Sequence, residues 1–275
     1  MLAVLAYHFW PETVSGGYVG VDVFFVISGF LITGLLLREV EATGTVRLGR
    51  FWARRARRLL PTALIVAAVS LAGTLLLAPP SVHGQFAKEI AASVLYVENW
   101  ALALDGADYL AAGNLASPVQ HYWSLSVEEQ FYLVWPLLVL IAGGFLARRF
   151  GGVRRPLILI VAAVGGVSFV WSAMLVAQGS PIAYFGTHVR AWEFAAGALV
   201  ALALADRRVP RRWAAALGVA GILMIVVAIV AYDATTPFPG VAALLPVFGT
   251  MLVIIADGDD APWSLATAGR GTGLI

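Results

Sequence analysis

The stretch that decides the fold reads His-Tyr-Trp-Ser-Leu-Ser-Val-Glu-Glu-Gln-Phe-Tyr-Leu-Val-Trp-Pro and covers residues 121–136. It leads into an apolar run that ends at Ala147, so it predicts the front end of a membrane-spanning helix. Glu128 and Glu129 lie in this front end with no Lys or Arg nearby in sequence, although a carboxylate at the hydrocarbon edge is costly unless it is paired. The two acids are therefore either an interfacial cap that the helix dipole favours or part of a functional site.

The composition places the whole chain in a membrane. Of its 275 residues, 60% are hydrophobic and 12% are charged, and the mean hydropathy is +0.86. A soluble domain of this length needs more charge to cover its surface, so we expect an all-α, polytopic helical membrane bundle. The chain has no Cys, which excludes thiol nucleophiles, disulfides and thiolate metal sites.

Apolar segments predict about eight crossings, of which the first is only half a span. They cover residues 1–10, 21–37, 59–78, 123–147, 156–177, 191–205, 213–232 and 237–256. Residues 1–256 are accordingly predicted to form one membrane domain, and the polar residues 257–275 a cytoplasmic tail. The half span predicts that the first helix is incomplete at Met1.

The arginines predict the orientation, because positive residues favour the cytoplasmic side of short loops. Seven lie between positions 38 and 58, four between 148 and 155, and four between 207 and 212. These clusters share one side only if residues 86–104, which carry Lys88, Glu89, Glu98 and Asn99, are re-entrant or interfacial. Both ends are then cytoplasmic in a multi-pass protein of the cell membrane. The acids at 128 and 129 fall near the outer face, and the arginine clusters fall inside.

Several charged residues invite a functional interpretation beside a structural one. His8 lies in the first span, where histidine is rare, and it is either a membrane-boundary residue or an acid–base group. Arg54, Arg57 and Arg58 share a helix face with Arg50, and this face is either a phospholipid anchor or a clamp for a polyphosphate such as coenzyme A. The remaining candidates lie near the predicted outer face: Asp22, Ser126, Arg190 and Glu193.

Several motifs of known enzyme classes are absent from the sequence, and this limits the reactions that the protein can be expected to catalyse. There is no Walker loop, no G-x-S-x-G elbow, no H-E-x-x-H and no G-x-G-x-x-G. ATP hydrolysis, serine-esterase chemistry on an elbow and dinucleotide redox chemistry therefore lack support. A secondary transporter or exporter, with His8 and Glu128 as a proton relay, stays open as an alternative.

Four motifs in the same order resemble the bacterial acyltransferase family 3, whose members are integral membrane O-acyltransferases. They are Gly20–Ile32 (GVDVFFVISGFLI), Phe51–Pro61 (FWARRARRLLP), Tyr122–Tyr132 (YWSLSVEEQFY) and Arg190–Glu193 (RAWE). The resemblance implies roughly ten spans, so part of the first helix would precede Met1 and further spans would follow Ile275. It also implies an acyl-CoA donor, usually acetyl-CoA, and an exported acceptor such as a cell-envelope glycan.

The resemblance further implies a functional histidine on the first helix, which matches His8. It implies an R-x-x-R element, which fits either Arg54 with Arg57 or Arg55 with Arg58. We therefore expect His8 to act as a general base or a transient acyl carrier, Glu128 to orient it, and these four arginines to bind the donor. Ser126, Arg190, Glu193 and Asp22 are candidates for binding the oxyanion or the acceptor. Membrane lipids are expected partners, and no permanent cofactor, metal site or nucleic acid is expected.

Overall fold

The computed structural model describes residues 2–10, 12–112, 116–204 and 209–256. This part of the chain is helical almost throughout and contains no strand, which confirms the all-α prediction. The α-helices are α1 (Leu2–Phe9), α2 (Gly20–Thr43), α3 (Leu48–Leu77), α4 (Pro80–Val94), α5 (Glu98–Ala112), α6 (Tyr122–Ile141), α7 (Ala147–Phe150), α8 (Arg154–Ala177), α9 (Ile182–Phe185), α10 (Thr187–Leu204), α11 (Arg211–Ala231) and α12 (Leu244–Ala256). A 3₁₀ turn, Gly17–Val19, precedes α2, and a π-helical segment, Ala142–Leu146, joins α6 to α7.

Five helices among the described residues are both long enough and apolar enough to cross a membrane. They are α2 with its 3₁₀ turn, α3, α6 with the start of the π-helical segment, α8 and α11. The other predicted crossings correspond to α1 with 8 residues, α10 with 18 and α12 with 13. Large apolar side chains stay exposed along α3 and α11, among them Ile65 and Val230, as expected for surfaces that face lipid.

Two predicted boundaries are wrong. Residues 38–58, which fall between the predicted spans 21–37 and 59–78 and are therefore expected to form a loop, are mostly helix, because α2 continues to Thr43 and α3 begins at Leu48. Arginine is a good helix former, so a cluster of arginines does not by itself mark a loop. The predicted last span from Pro237 begins instead at Leu244, since Pro237, Pro239 and Gly240, whose φ is +38°, hold a turn before it. The predicted tail 257–275 lies outside the described residues.

The chain divides into two compact units. The first unit contains Met1–Leu35, Ile158–Gly166 and Trp192–Ile275, and the second contains Leu36–Leu157 and Val167–Ala191. In the first unit α2 packs closely against α10. A Cβ atom added at Gly29 would clash with the backbone oxygen of Phe194, and one added at Gly197 would clash with that of Val26. Glycine is therefore required at both positions for these two helices to approach.

In the second unit, the segment that we predicted to be re-entrant or interfacial is a helical hairpin. Helices α4 and α5 have 15 residues each, which is too short to cross the hydrocarbon core. Lys88 and Asp105 clamp the two helices together, with the ammonium 2.7 Å and 2.8 Å from the two carboxylate oxygens. Two acids of the hairpin are buried: Glu98 is fully buried, and Glu89 is 3% exposed.

The orientation stays a prediction that reporter fusions at four positions along the chain can test. Fusions after Gly44 and Gly151 should report a cytoplasmic location, and fusions after Gly106 and Asp233 an extracytoplasmic one, because the arginine clusters favour the cytoplasm. Each fusion is scored with paired phosphatase and fluorescent reporters, which are active on opposite sides. A cytoplasmic signal at Gly106 would mean that the α4–α5 hairpin crosses the membrane, which contradicts the predicted topology.

The buried carboxyl group of Glu98 should make the stability of the folded protein depend on pH. Burial, together with the charge of Glu89, raises the pKa of Glu98 from 4.5 to about 8. The folded protein therefore binds more protons than the unfolded chain between these two values. Stability should fall as the pH rises through this window and level off above it.

The measurement is the melting temperature of the detergent-solubilised protein between pH 5 and pH 9. Glu98→Gln should flatten the profile and stabilise the protein most at pH 9. Glu12→Gln, which alters an exposed acid, is the matched control and should keep the wild-type profile. Identical profiles for Glu98→Gln and the wild type would contradict the assignment.

Candidate functional site

The first acid of the deciding stretch is held by its own helix. Glu128 and Tyr132 are four residues apart in α6, so they lie on the same helix face. The Tyr132 hydroxyl donates a hydrogen bond of 2.5 Å to Glu128 Oε1. Glu128 is only 5% exposed. A buried carboxylate needs such a partner, because burial without a hydrogen bond is expensive.

The second acid is paired with an arginine of α3. Arg55 Nη2 donates a hydrogen bond of 2.6 Å to Glu129 Oε1, and its guanidinium carbon lies 3.5 Å from the centre of the Tyr132 ring. Trp52 Nε1 donates to the backbone oxygen of Tyr132 at 3.2 Å. Arg55, Glu129, Tyr132 and Glu128 thus form one contiguous group, which we call the charged cluster.

The charged cluster gives Glu129 a partner and corrects one prediction. Glu129 forms an ion pair with Arg55, and the side chains of Arg55 and Glu129 are 20% and 17% exposed. Arg55 and Glu129 also cannot lie on opposite sides of the membrane, since a contact of this length places them at one depth. The assignment of the acids to the outer face and of all the arginines to the inner face is therefore wrong for this pair. The separation of 74 positions between the partners hides the contact from any local pattern.

The neighbouring arginines point elsewhere. Arg54, Arg57 and Arg58 are exposed, whereas Arg55 turns inward, because successive helical residues point about 100° apart. Arg57 Nε donates to the backbone oxygen of Ala53 at 3.2 Å. Of the two R-x-x-R assignments, Arg54 with Arg57 gives two exposed guanidinium groups, and Arg55 with Arg58 gives one.

Gln130 organises a polar network that the sequence analysis missed. Its Nε2 donates to Asn99 Oδ1 at 2.9 Å and to the backbone oxygen of Tyr96 at 2.8 Å. Its Oε1 accepts from Trp100 Nε1 at 3.0 Å and from Thr187 Oγ1 at 2.5 Å. The network joins α5, α6 and the start of α10. The only local signal was the presence of amide side chains in apolar surroundings.

Arg190 is buried among aromatic rings of the same unit. Its guanidinium carbon lies 5.0 Å from the ring centre of Tyr184 and 5.6 Å from that of Trp123, and Nε donates to the backbone oxygen of Tyr184 at 3.0 Å. It lies in the first turn of α10, which begins at Thr187 and not after Arg190 as predicted. Cation–π contacts of this kind partly replace the hydration that a buried guanidinium loses.

His188 lies two positions before Arg190 in sequence, and its ring packs against two tryptophans. Its ring stacks on Trp100 with centres 5.6 Å apart and meets the edge of Trp171 at 4.8 Å. Burial lowers the pKa of His188 below its usual value of 6.5. The imidazole is therefore neutral at neutral pH.

Ser126 is fully buried in α6, and its hydroxyl has no hydrogen-bond partner among the described residues. A hydroxyl without a partner in the interior is unusual and calls for an explanation. This position keeps Ser126 among the candidates for binding the oxyanion.

The other predicted site residues lie in the first unit. His8 is exposed in the last turn of α1, with Nδ1 2.8 Å from the backbone oxygen of Val4. When Nδ1 carries the proton for this bond, Nε2 keeps the lone pair that a general base needs. Asp22 and Glu193 are both fully buried. Because His8 and Glu128 belong to different units, their pairing stays a prediction.

An open groove of about 670 Å³ lies in the second unit where α2 ends and α8 begins. Its lining includes the ion pair between Arg154 and Glu41, in which Nε and Nη2 of the arginine donate at 2.6 Å and 3.2 Å. Arg155 is exposed at its rim. The paired charges make the groove nearly neutral inside, so exposed arginines of α3 are the better candidates for a polyphosphate.

Comparisons with known proteins agree with the motifs. The model of the acyltransferase family 3, described as an acyltransferase domain, matches residues 1–268. The chain is 36% identical over 233 residues to the peptidoglycan O-acetyltransferase OatA of Listeria monocytogenes, which covers 82% of this chain and 36% of the relative. It is 34% identical over 201 residues to the O-acetyltransferase OatA of Staphylococcus aureus, which covers 73% of this chain and 32% of the relative. The chain thus spans about a third of the length of these relatives. No solved structure matches it.

Proposed function

Because the chain belongs to the acyltransferase family 3, we propose that it transfers an acyl group, with acetyl preferred, from acyl-CoA to a hydroxyl of a cell-envelope glycan. The named activities of the relatives, which are O-acetyltransferases, support the acetyl group and the glycan acceptor. The acyl-CoA donor is supported by exposed arginines on α3. The protein would act as a multi-pass protein of the cytoplasmic membrane with both ends of the described chain in the cytoplasm, among lipids that contact its apolar helices.

One observation carries this proposal, the charged cluster on α3 and α6. A buried carboxylate, Glu128, is held by a tyrosine hydroxyl and lies next to an ion pair in apolar surroundings. Such a carboxylate can orient an imidazole and stabilise the imidazolium that forms when the base takes a proton. Glu128 lies in the motif at residues 122–132, which is one of the four motifs that resemble the family, and this links the charged cluster to the family.

In the proposed mechanism, His8 Nε2 removes the proton from the acceptor hydroxyl while the hydroxyl oxygen attacks the thioester carbonyl. The tetrahedral intermediate then collapses, the carbon–sulfur bond breaks, and the proton passes from His8 to the sulfur of coenzyme A. Glu128 stabilises the charged His8 between these two steps. Transfer through a transient acyl-histidine would use the same residues in two successive displacements.

The donor would bind through its phosphates. Arg54, Arg57 and Arg58 present exposed guanidinium groups on α3, and these groups match phosphate oxygens bidentately. Arg55, one of the four arginines predicted to bind the donor, is engaged with Glu129. It would instead keep the charged cluster in place next to the donor.

Covalent transfer tests the proposed function directly. Membranes that contain the full chain are incubated with radiolabelled acetyl-CoA and a soluble glycan acceptor, and we expect label in ester linkage to the glycan. A protein that moves protons or lipids without chemistry would leave the glycan unlabelled. That result would favour the transporter alternative.

Replacement of Arg54, Arg57 and Arg58 together by Gln should lower the affinity for acyl-CoA by at least about tenfold, because charge and fork geometry are lost together. The measurement is equilibrium binding of a non-reactive acyl-CoA thioether to the membrane-inserted protein. Arg155→Gln, which removes an exposed arginine at the start of α8, is the control and should bind normally. Unchanged affinity in the triple variant would return these residues to a role as a lipid anchor.

His8→Ala should abolish nearly all transfer while acyl-CoA binding survives. Glu128→Gln should lower the rate by about 10²- to 10⁴-fold, the usual contribution of a positioned acid–base group. Because residues that act as one unit are non-additive, the double variant should be little slower than His8→Ala alone. These rates are measured in the full chain after its membrane insertion is verified. A double variant that loses the product of the two single effects would show that the residues act separately.

A further inference from the structure

Tyr96 has an unusual backbone at the turn between α4 and α5. Its φ is +55°, and apart from glycines it is the one residue with positive φ among those described. A bulky side chain in this conformation is strained, and such strain persists where the surrounding structure enforces it and is concentrated at functional sites. Here the enforcing contact is visible, because Gln130 Nε2 donates to the Tyr96 carbonyl at 2.8 Å. This hydrogen bond fixes the strained Tyr96 to α6 at Gln130, the residue that follows Glu129.

The Tyr96 hydroxyl is buried and has no hydrogen-bond partner among the described residues. Its electrostatic neighbours are Glu129, Tyr122 and Arg55. Burial raises the pKa of the Tyr96 phenol, and the Glu129 carboxylate raises it further. The phenol therefore stays protonated at neutral pH and keeps a hydrogen that it can donate.

Ser126 provides a second unpartnered hydroxyl, on α6, which also carries Tyr122 and Glu129. It follows Tyr122 by four residues and precedes Glu129 by three, so the three side chains share one face of α6. The serine is fully buried, and its hydroxyl also lacks a partner. Tyr122 and Glu129 are thus neighbours of both buried hydroxyls, because they interact electrostatically with Tyr96 and share a helix face with Ser126.

We infer that the hydroxyls of Tyr96 and Ser126 together bind the carbonyl oxygen of the acyl group and stabilise the oxyanion that forms on it. The inference rests on the proposed function. During attack, the new carbon–oxygen bond forms and the carbonyl π electrons move to this oxygen. They return when the carbon–sulfur bond breaks and the proton reaches the sulfur. Neutral donors suit this task, since Arg55 already neutralises Glu129 and the site gains only the charge of the intermediate.

The alternative is that an ordered water satisfies both hydroxyls and that they only support the turn. The two explanations differ in what they predict for binding. A structural role affects every ligand of the site alike, whereas an oxyanion site distinguishes ligands by their carbonyl oxygen.

The test compares Tyr96→Phe and Ser126→Ala with the wild-type full chain in membranes. Each substitution removes one hydroxyl and leaves the backbone unchanged. Each should lower kcat for acetyl transfer by about 10²- to 10³-fold, as the loss of one oxyanion donor does, with little change in KM for acetyl-CoA. The matched control is Ser172→Ala, which removes another fully buried hydroxyl without a partner, and it should keep the wild-type kcat.

A binding experiment separates this inference from the proposed function. The probes are a trifluoromethyl ketone analogue of acetyl-CoA, which forms a tetrahedral adduct, and a thioether analogue without a carbonyl. Tyr96→Phe and Ser126→Ala should weaken binding of the ketone by at least about tenfold and leave the thioether unaffected.

The outcomes are distinct. Equal weakening of both probes, or no weakening of either, would overturn the oxyanion site while leaving the proposed function intact. A wild-type protein that binds neither probe would overturn the proposed donor and the inference together. If Tyr96→Phe does not insert correctly, Ser126→Ala carries the test alone.

Discussion

The ion pair between Arg55 and Glu129 is the interaction on which the second unit depends. Both side chains are largely withdrawn from solvent, and a charge in such surroundings is costly unless an opposite charge meets it. The pair therefore fixes α3 against α6 at one depth and in one rotation. Through the contact of the guanidinium with the Tyr132 ring, it also fixes the hydroxyl that holds Glu128.

With α6 held in this rotation, three consecutive residues of the helix point in three directions and contact different partners. Glu128 bonds to Tyr132 on its own helix, Glu129 faces Arg55 on α3, and Gln130 holds the α4–α5 turn and the start of α10. Because successive helical side chains diverge by about 100°, none of these contacts competes with another. A short polar stretch can thus organise four helices, and a substitution at any one of the three positions disturbs a different neighbour.

Such an arrangement suits a reaction at a membrane. The buried partners in the second unit are held by a hydrogen bond and an ion pair, whereas exposed arginines on the same helix as Arg55 remain available for a charged ligand. One turn of α3 thereby supplies both a structural arginine and ligand-binding candidates. The hydroxyls of Tyr96 and Ser126 have no hydrogen-bond partner within the described part of the chain, so they can donate to a ligand.

The sequence by itself determined the all-α membrane architecture, because long apolar runs and scarce charge leave few other folds. It also singled out the stretch 121–136 and its two acids. Only the tertiary structure decided that Arg55 pairs with Glu129, that α3 begins at Leu48 and that Tyr96 adopts a left-handed backbone. Hydropathy and helical periodicity are local properties, whereas an ion pair across 74 residues or a turn held by Gln130 depends on how distant helices pack. For the same reason, only the rotation of α3 about its axis shows which of the four neighbouring arginines faces Glu129. No local sequence pattern gives this rotation.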